Sequence, residues 1–203
     1  MSDNAKIPLQ VVVDSREQCP FRFEGYPVEV ETGALASADY SLHGFTDRIG
    51  IERKSLPDLV ACLGVERDRF QRELARLRGF DAACIIVEQP QSVLRLGHFR
   101  SRMDAGAAWQ SCLALSMRFR VPFFWAENRA DAERICFDCL RHFARDRWRE
   151  LQALRLVPTM TPERTERRGP GIGMDGRPDT PQERQRAGKS PLPRAPASTG
   201  AGT

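Results

Sequence analysis

The stretch that decides the fold is Ala38–Leu59, which reads ADYSLHGFTDRIGIERKSLPDL. Two segments within it, Tyr40–Leu42 and Arg48–Arg53, flank a turn that contains Gly44 and Asp47. Alternating and apolar runs separated by turn residues predict a β-hairpin. In the second segment, the run Ile49-Gly50-Ile51 is followed by Glu52 and Arg53, and Lys54 comes next. The sequence therefore places the charged side chains at one end of this strand.

The charged end of the second strand is Glu52-Arg53-Lys54. Because side chains alternate across a strand, Glu52 and Lys54 face the same side, ~6–7 Å apart at Cα, and Arg53 faces the other. If the hairpin pairs as predicted, Asp39 at the far end of the opposite strand comes close to Glu52. Asp58 follows Lys54 by four residues, at the start of a helix that can fold back over the strand ends.

A further carboxylate, Asp14, ends the first predicted strand and can point into the same place. Clustered carboxylates repel each other unless a cation neutralises them, and hard oxygen ligands select Mg²⁺ or Mn²⁺. A divalent ion beside a lysine is suited to phosphodiester hydrolysis, because the ion activates water and polarises phosphoryl oxygens. Each charge alone is explained as an ordinary strand-end or helix-cap residue, but their combination favours a catalytic site.

Lys54 is also unusual for its residue type. The chain has 31 basic side chains, of which only those at positions 6, 54 and 189 are lysines. Lysine is a compact point charge whose pKa moves readily, whereas arginine is a planar fork that stays protonated. A lysine inside the acidic cluster of an arginine-rich chain favours a chemical role for Lys54.

Strand and helix patterns alternate on both sides of the hairpin. Interleaved patterns of this kind predict a three-layer α/β domain with a central mixed sheet. The other predicted strands are Leu9–Val13, Val28–Glu31, Ala82–Val87 and Pro122–Ala126, and the predicted helices are Leu56–Cys62, Glu66–Arg78, Ala105–Phe119 and Ala130–Leu151.

Composition limits the class of protein. The chain has 203 residues, a net charge of +4 and six cysteines. No apolar run is long enough to span a bilayer and the first residues do not form a signal peptide, so we expect a cytosolic protein with reduced thiols and no membrane partner. Because the net charge is small, any surface that binds nucleic acid must be a local patch.

The composition changes abruptly at Pro158. Large apolar residues almost vanish beyond this point, and proline, glycine, serine, threonine and arginine become frequent. Such a segment cannot bury enough surface to offset its ordering entropy. We therefore predict a folded domain over residues 7–157 and a disordered tail over residues 158–203.

Two motifs resemble the XPF-type nuclease domain of the PD-(D/E)XK restriction-endonuclease-like superfamily. Val11–Glu17, which reads VVVDSRE, resembles the V-D-x-R-E opening of that family. Asp39, followed by Glu52-Arg53-Lys54 and then Asp58, resembles its G-D-x(n)-E-R-K-x3-D signature. Ala38 stands where the family usually has glycine. The resemblance covers about residues 9–130.

This resemblance implies a restriction-endonuclease-like fold and Mg²⁺-dependent cutting of flaps, forks and other branched DNA, in repair or recombination. Lys54 would be the catalytic lysine. The implied metal ligands are Asp39, Glu52 and Asp14, with the backbone carbonyl of Arg53. The implied supporting acids are Asp14, Glu17 and Asp58. The implied DNA contacts are Arg16, Arg53, Arg67 and Arg69.

Other interpretations remain open at this point. The chain can be a catalytically silent copy of the fold that binds DNA or acts as a scaffold, or a restriction-like enzyme that cuts plain duplex. Arg69, Arg72 and Arg76 share one helix face, which suits either phosphate contacts or a solvated surface. Phe137 and Trp148 widen the apolar face of the last helix, which predicts a homodimer or a heterodimer.

Overall fold

One mixed sheet of six strands forms the centre of the computed structural model, which describes residues 8–154. The strands are β1 (Leu9–Asp14), β2 (Val28–Gly33), β3 (Tyr40–Leu42), β4 (Ile49–Lys54), β5 (Ala82–Val87) and β6 (Phe123–Trp125). The helices are α1 (Leu56–Leu63), α2 (Arg67–Leu77), α3 (Gln91–Arg95), α4 (Ala105–Phe119) and α5 (Arg129–Ala153). The predicted tail over residues 158–203 lies outside the described residues, as do the outermost positions of the predicted domain.

The strand order is β2-β1-β3-β4-β5-β6. The predicted hairpin is confirmed, because β3 and β4 pair antiparallel with Tyr40 opposite Ile51. β3 is also antiparallel to β1, so the start of β3 meets the ends of both β1 and β4. β4 is parallel to β5, and β5 to β6. This topology gathers Asp14, Asp39 and Lys54 at one edge of the sheet, although they lie far apart in the sequence.

Helices cover both faces of the sheet, which confirms the predicted three-layer architecture. Alternate side chains of β5 point to opposite cores, with Ile85 and Val87 on one side and Cys84 and Ile86 on the other. The first core is completed by the apolar faces of α1, α2 and α4. The second is completed by α5. Both faces are therefore buried, as expected for strands of a parallel or mixed sheet.

Polar caps fix where the helices begin. The Ser55 side chain accepts a hydrogen bond from the backbone N–H of Asp58 at the start of α1, and Asn128 does the same for Asp131 at the start of α5. Such caps satisfy N–H groups that the first helical turn leaves unpaired. The short helix α3 was not predicted, because five residues are too few to show a helical period. No helix in residues 8–154 has the length and apolar character needed to cross a membrane.

Candidate active site

The hairpin brings Asp39, Glu52 and Lys54 into one recess at the sheet edge. The backbone N–H of Asp39 donates to the carbonyl of Ile51 (3.0 Å), and the N–H of Arg53 donates to Oδ2 of Asp39 (2.8 Å). Glu52 and Lys54 share a face as predicted, and Nζ of Lys54 donates directly to Oε1 of Glu52. Glu52 is 5% exposed and Lys54 is 8% exposed. The strand therefore holds a buried ion pair beside a second carboxylate.

Burial and mutual repulsion make these carboxylates costly to ionise. Burial raises the pKa of Asp39 from 3.8 to about 6, against the opposing effect of the hydrogen bond from Arg53. Burial also raises the pKa of Glu52, and the negative charge of Asp39 raises it further. For Lys54, burial acts to lower the pKa, but the carboxylates of Glu52 and Glu73 outweigh it and the pKa is raised. The lysine thus remains charged. For the two acids, the hydrogen bond from Arg53 and the charge of Lys54 only partly offset the cost of ionisation.

Asp14 reaches the same edge, but all of its acceptor capacity is used. Arg16 donates to Oδ1 through its backbone N–H (2.8 Å) and Nε (2.7 Å), and to Oδ2 through its guanidinium (2.9 Å). The backbone N–H of Leu35 also donates to Oδ2 (2.8 Å). These hydrogen bonds, with that of the Arg16 side chain as the largest cause, lower the pKa of Asp14 to about 2. Asp14 acts here as an anchor that ties Arg16 and the segment after β2 to the end of β1.

Glu17 and Arg53 form an ion-pair network on the other side of the strand end. The Arg53 guanidinium lies 3.0 Å from Oε1 of Glu17 and 3.1 Å from Oε2 of Glu88. Arg129, at the start of α5, lies 2.7 Å from the other oxygen of Glu88. The Arg53 side chain is only 13% exposed. Its charge is therefore used within the protein, where it fixes the end of β4 against neighbouring elements.

The remaining predicted site residues occupy different positions. Asp58 is exposed, accepts a hydrogen bond from the Ser55 hydroxyl (2.6 Å) and borders the recess at the start of α1. Arg67 donates to the carbonyl of Leu63 (3.0 Å) and the hydroxyl of Ser111 (3.3 Å), so it connects α2 with α1 and α4. Arg69 pairs with Glu66 but is 67% exposed. The structure thus engages Arg67 between helices and leaves Arg69 at the surface.

The recess consists of two adjoining hollows of about 290 and 370 Å³. Four exposed arginines border the hollows, namely Arg16 and three arginines of α2, which are Arg69, Arg72 and Arg76. The acids Asp58 and Glu66 also border the second hollow. The hollows share six lining residues, namely Arg16, Glu17, Asp39, Glu52, Lys54 and Arg69. Exposed arginines beside buried acids suit an anionic polymer whose backbone approaches bound cations.

Glu73 was not among the predicted site residues, although it lines the same recess. It follows the buried Phe70 by three positions and directly precedes the buried Leu74. That spacing places Glu73 at the margin of the buried stripe of α2, and this was the signal in the sequence. The sequence does not show how α2 is rotated on the sheet, so it does not distinguish the Glu73 carboxylate from the solvated charges of this helix.

The chemistry of Asp39 and Glu52 fits a hard divalent cation. Both provide carboxylate oxygens, and both have raised pKa values, chiefly because burial disfavours ionisation and, at Glu52, also because the charge of Asp39 does. A cation between them relieves that cost. In residues 8–154 no group of three or more histidine, cysteine, aspartate or glutamate side chains is arranged to hold a metal. The fit therefore rests on two carboxylates, which suits Mg²⁺ because this ion usually keeps several waters.

Comparison with known proteins defines the class of this domain. The family model for the ERCC4 domain matches residues 13–138, so the chain belongs to the ERCC4 domain family. This confirms the resemblance inferred from the two motifs. No curated protein matches the chain.

Two solved structures show the same fold. One is XPF from Aeropyrum pernix, with 24% identity and a TM-score of 0.52, and the match covers 65% of this chain and 60% of that one. The other is XPF from Aeropyrum pernix in complex with DNA, with 23% identity, a TM-score of 0.54 and 74% of each chain covered. The chain thus has the XPF nuclease-domain fold, and its match spans 60% of the length of the first of these structures.

Proposed function

We propose that this chain is a divalent-metal-dependent endonuclease that hydrolyses phosphodiester bonds in DNA. The observation that carries the proposal is the convergence of Asp39, Glu52 and Lys54 in one recess of an ERCC4 domain. Metal-assisted phosphodiester hydrolysis requires carboxylates that can hold a cation and a positive group beside them. Asp39 and Glu52, whose ionisation is disfavoured without a cation, lie beside the buried ammonium group of Lys54.

Asp39 and Glu52 would hold Mg²⁺ or Mn²⁺. The family resemblance implies the backbone carbonyl of Arg53 as a further ligand. The bound ion would supply an activated water and charge stabilisation at the phosphoryl group. Lys54 would orient the attacking water or offset negative charge that develops on the phosphate. We assign Asp14 to positioning instead of metal binding, because Arg16 and Leu35 already occupy both of its oxygens.

The proposed DNA contacts are the exposed arginines that border the recess, above all Arg16 and Arg69, with Arg72 and Arg76 beside them on α2. Guanidinium groups bind phosphates and position the backbone without reading sequence. The likeness to an XPF structure in complex with DNA supports DNA as the ligand. We propose flaps, forks and other branched DNA in repair or recombination as substrates. Arg53 and Arg67 are not included in this surface, because they make contacts inside the domain and are not exposed, whereas Arg16 is 72% exposed although it also bonds Asp14.

A cleavage panel tests the proposal. Flap, fork, Holliday junction, duplex and single-stranded substrates are incubated with Mg²⁺, Mn²⁺, Ca²⁺ or a chelator. We expect cutting of branched DNA with Mg²⁺ or Mn²⁺ and none with Ca²⁺, which is larger and prefers looser coordination. Cleavage that persists in excess chelator would refute the metal mechanism, and preferential cutting of plain duplex would refute the branched substrate.

The second candidate is a catalytically silent DNA-binding or scaffolding domain. The observation in its favour is the direct pairing of Lys54 with Glu52, since a purely structural ion pair has the same appearance. A silent domain binds branched DNA tightly but cuts none of the panel with any metal. The retention of Asp39, Glu52 and Lys54 together favours the enzyme.

We also propose that the domain acts as a homodimer or with a related partner, and that it works in the cytosol. Large apolar side chains at the end of α5 support pairing, because Trp148, Leu151 and Leu154 are 57%, 50% and 62% exposed. Exposed apolar groups clustered on one element are typical of protein contacts.

A further inference from the structure

Glu73 brings a further carboxylate to the ammonium group of Lys54. It lies on α2 between the buried residues Phe70 and Leu74, and its side chain is 15% exposed. Its Oε2 atom lies 3.8 Å from Nζ of Lys54. It also lines the same recess as Glu52. Lys54 thus has two acidic neighbours, Glu52 on its own strand β4 and Glu73 on α2.

These two neighbours differ in distance. Nζ of Lys54 bonds directly to Glu52 but only approaches Glu73. If the proposed function holds, Glu52 gives its oxygens to a divalent cation, and that cation repels the ammonium group. A buried ammonium without a carboxylate partner is strongly disfavoured. Lys54 then needs another anion within reach.

Glu73 is the carboxylate that can take this role. Within residues 8–154 its one ion pair is that with Lys54. The five other acids of the recess are committed elsewhere. Asp39 is a proposed metal ligand, and Asp58 accepts a hydrogen bond from the Ser55 hydroxyl. The remaining three pair with arginines, namely Asp14 with Arg16, Glu17 with Arg53, and Glu66 with Arg69.

We propose that Glu73 is a positioning residue that receives the Lys54 ammonium group when a divalent cation is held by Asp39 and Glu52. An ordinary charge-assisted bond of about 2.8 Å requires a shift of roughly 1 Å by a flexible side chain. The Phe70 ring, whose centroid lies 5.8 Å from Nζ, borders the same space. The exchange keeps Lys54 charged and within the recess.

Binding of Mn²⁺ alone tests this exchange, measured by calorimetry in four proteins. They are the parent, Glu73→Gln, Lys54→Met and the double variant. Glu73→Gln should weaken Mn²⁺ binding about tenfold in the parent, because the lysine then stays on Glu52 and competes with the ion. In the Lys54→Met background, Glu73→Gln should weaken Mn²⁺ binding by less than about threefold.

Two results would overturn the exchange. Equal, roughly tenfold losses in both backgrounds make Glu73 a direct metal ligand, and no loss in either makes it a surface charge. Asp68→Asn, an exposed position on the same helix, is the matched control and should leave Mn²⁺ affinity unchanged. Thermal unfolding checks that every variant is folded.

Cleavage gives an independent measure. Glu73→Gln should lower kcat about 10- to 100-fold with KM little changed, and Glu73→Asp, which keeps a carboxylate, should recover part of that loss. Full kcat in Glu73→Gln contradicts the exchange. A parent that neither binds Mn²⁺ nor cuts refutes the proposed function and the exchange together. A parent that binds and cuts, with equal Mn²⁺ losses in both backgrounds, refutes the exchange alone.

Discussion

At the scale of single residues, Asp39 shows how a site can oppose the stability of its own fold. Burial raises its pKa to about 6. An unfolded aspartate ionises near pH 4, so the folded protein holds a proton between about pH 4 and 6 that the unfolded chain releases. Stability therefore falls as pH rises through this window, and the full penalty is present above it. Without metal, the ionised site destabilises the fold at neutral pH.

Asp39→Asn removes this penalty, because an amide can still accept the hydrogen bond from the Arg53 N–H. We expect the free energy of unfolding at pH 7, measured in chelator, to rise by roughly 1–2 kcal/mol, and cleavage to be lost. The gain should shrink steadily as the pH falls from 7 to 4, because the folded parent aspartate is then protonated and about half of the unfolded chains are protonated at this residue as well. Asp47→Asn, in the exposed hairpin turn, is the control. If Asp39→Asn cleaves at the parental rate, Asp39 is not part of the active site.

Lys54 offers a test that separates charge from geometry. Lys54→Arg keeps the positive charge, but the buried space between Glu52, Glu73 and Phe70 does not accommodate a larger planar group in the same position. We expect cleavage to slow by about 100-fold or more, while affinity for a flap measured in Ca²⁺ changes little.

The control for this variant is Arg48→Lys, at an exposed pair with Asp81. Arg48 lies in the turn directly before β4, away from the charged end of that strand, and the change should not alter the cleavage rate. Cleavage by Lys54→Arg at the parental rate would reduce Lys54 to a structural charge.

At the scale of elements, the segment that leads into β3 determines where Asp39 lies. Ala38 has φ = 73°, in the left-handed region that glycine adopts readily and other residues rarely adopt. Ala38 is 6% exposed. A Cβ atom added at Gly50 would lie 3.1 Å from the Ala38 Cβ atom. The positive φ and the close packing of Ala38 therefore both restrict the backbone of the segment that positions Asp39.

Ala38→Val should therefore lower the free energy of unfolding by roughly 2–3 kcal/mol, since a β-branched residue tolerates neither the positive φ nor the crowding. Ala38→Gly should change it by less than about 1 kcal/mol, because relief of strain offsets the loss of a buried methyl group. Ala36→Val, two residues earlier and exposed, is the control in denaturant unfolding. Equal stability of Ala38→Val and the parent contradicts the strained turn.

At the scale of the whole molecule, α5 connects the core to the proposed pairing surface. Phe137, expected to widen an exposed face, is instead 8% exposed and packs against Tyr26 with ring centroids 4.7 Å apart. The apolar exposure of this helix lies further along, at Trp148 and beyond. The proposed surface is therefore narrower than the sequence indicated.

We expect the parent to be dimeric by light scattering at tens of micromolar, and Trp148→Glu with Leu151→Glu to make it monomeric without loss of helix by circular dichroism. Arg145→Glu, an exposed change of charge on the same helix, is the control. A monomeric parent at this concentration refutes self-association but not a heterodimer, which mixing with a candidate partner tests separately.

The sequence by itself determined the hairpin, the three layers and the grouping of Asp39, Glu52 and Lys54. These depend on local regularities, because strand alternation decides which face a side chain occupies and a short turn decides which strands pair. The charged end of β4 next to the start of β3 follows from those two rules alone.

Only the tertiary structure decided which charges remain available for chemistry. Asp14 accepts from its near neighbour Arg16 but also from Leu35, and Arg53 pairs with Glu17 and Glu88. Apart from the Arg16 contact, these contacts join segments distant in sequence. The position of Glu73 beside Lys54 depends on how α2 is rotated on the sheet. Ion pairing and burial depend on which elements meet in space, and no local pattern contains that information.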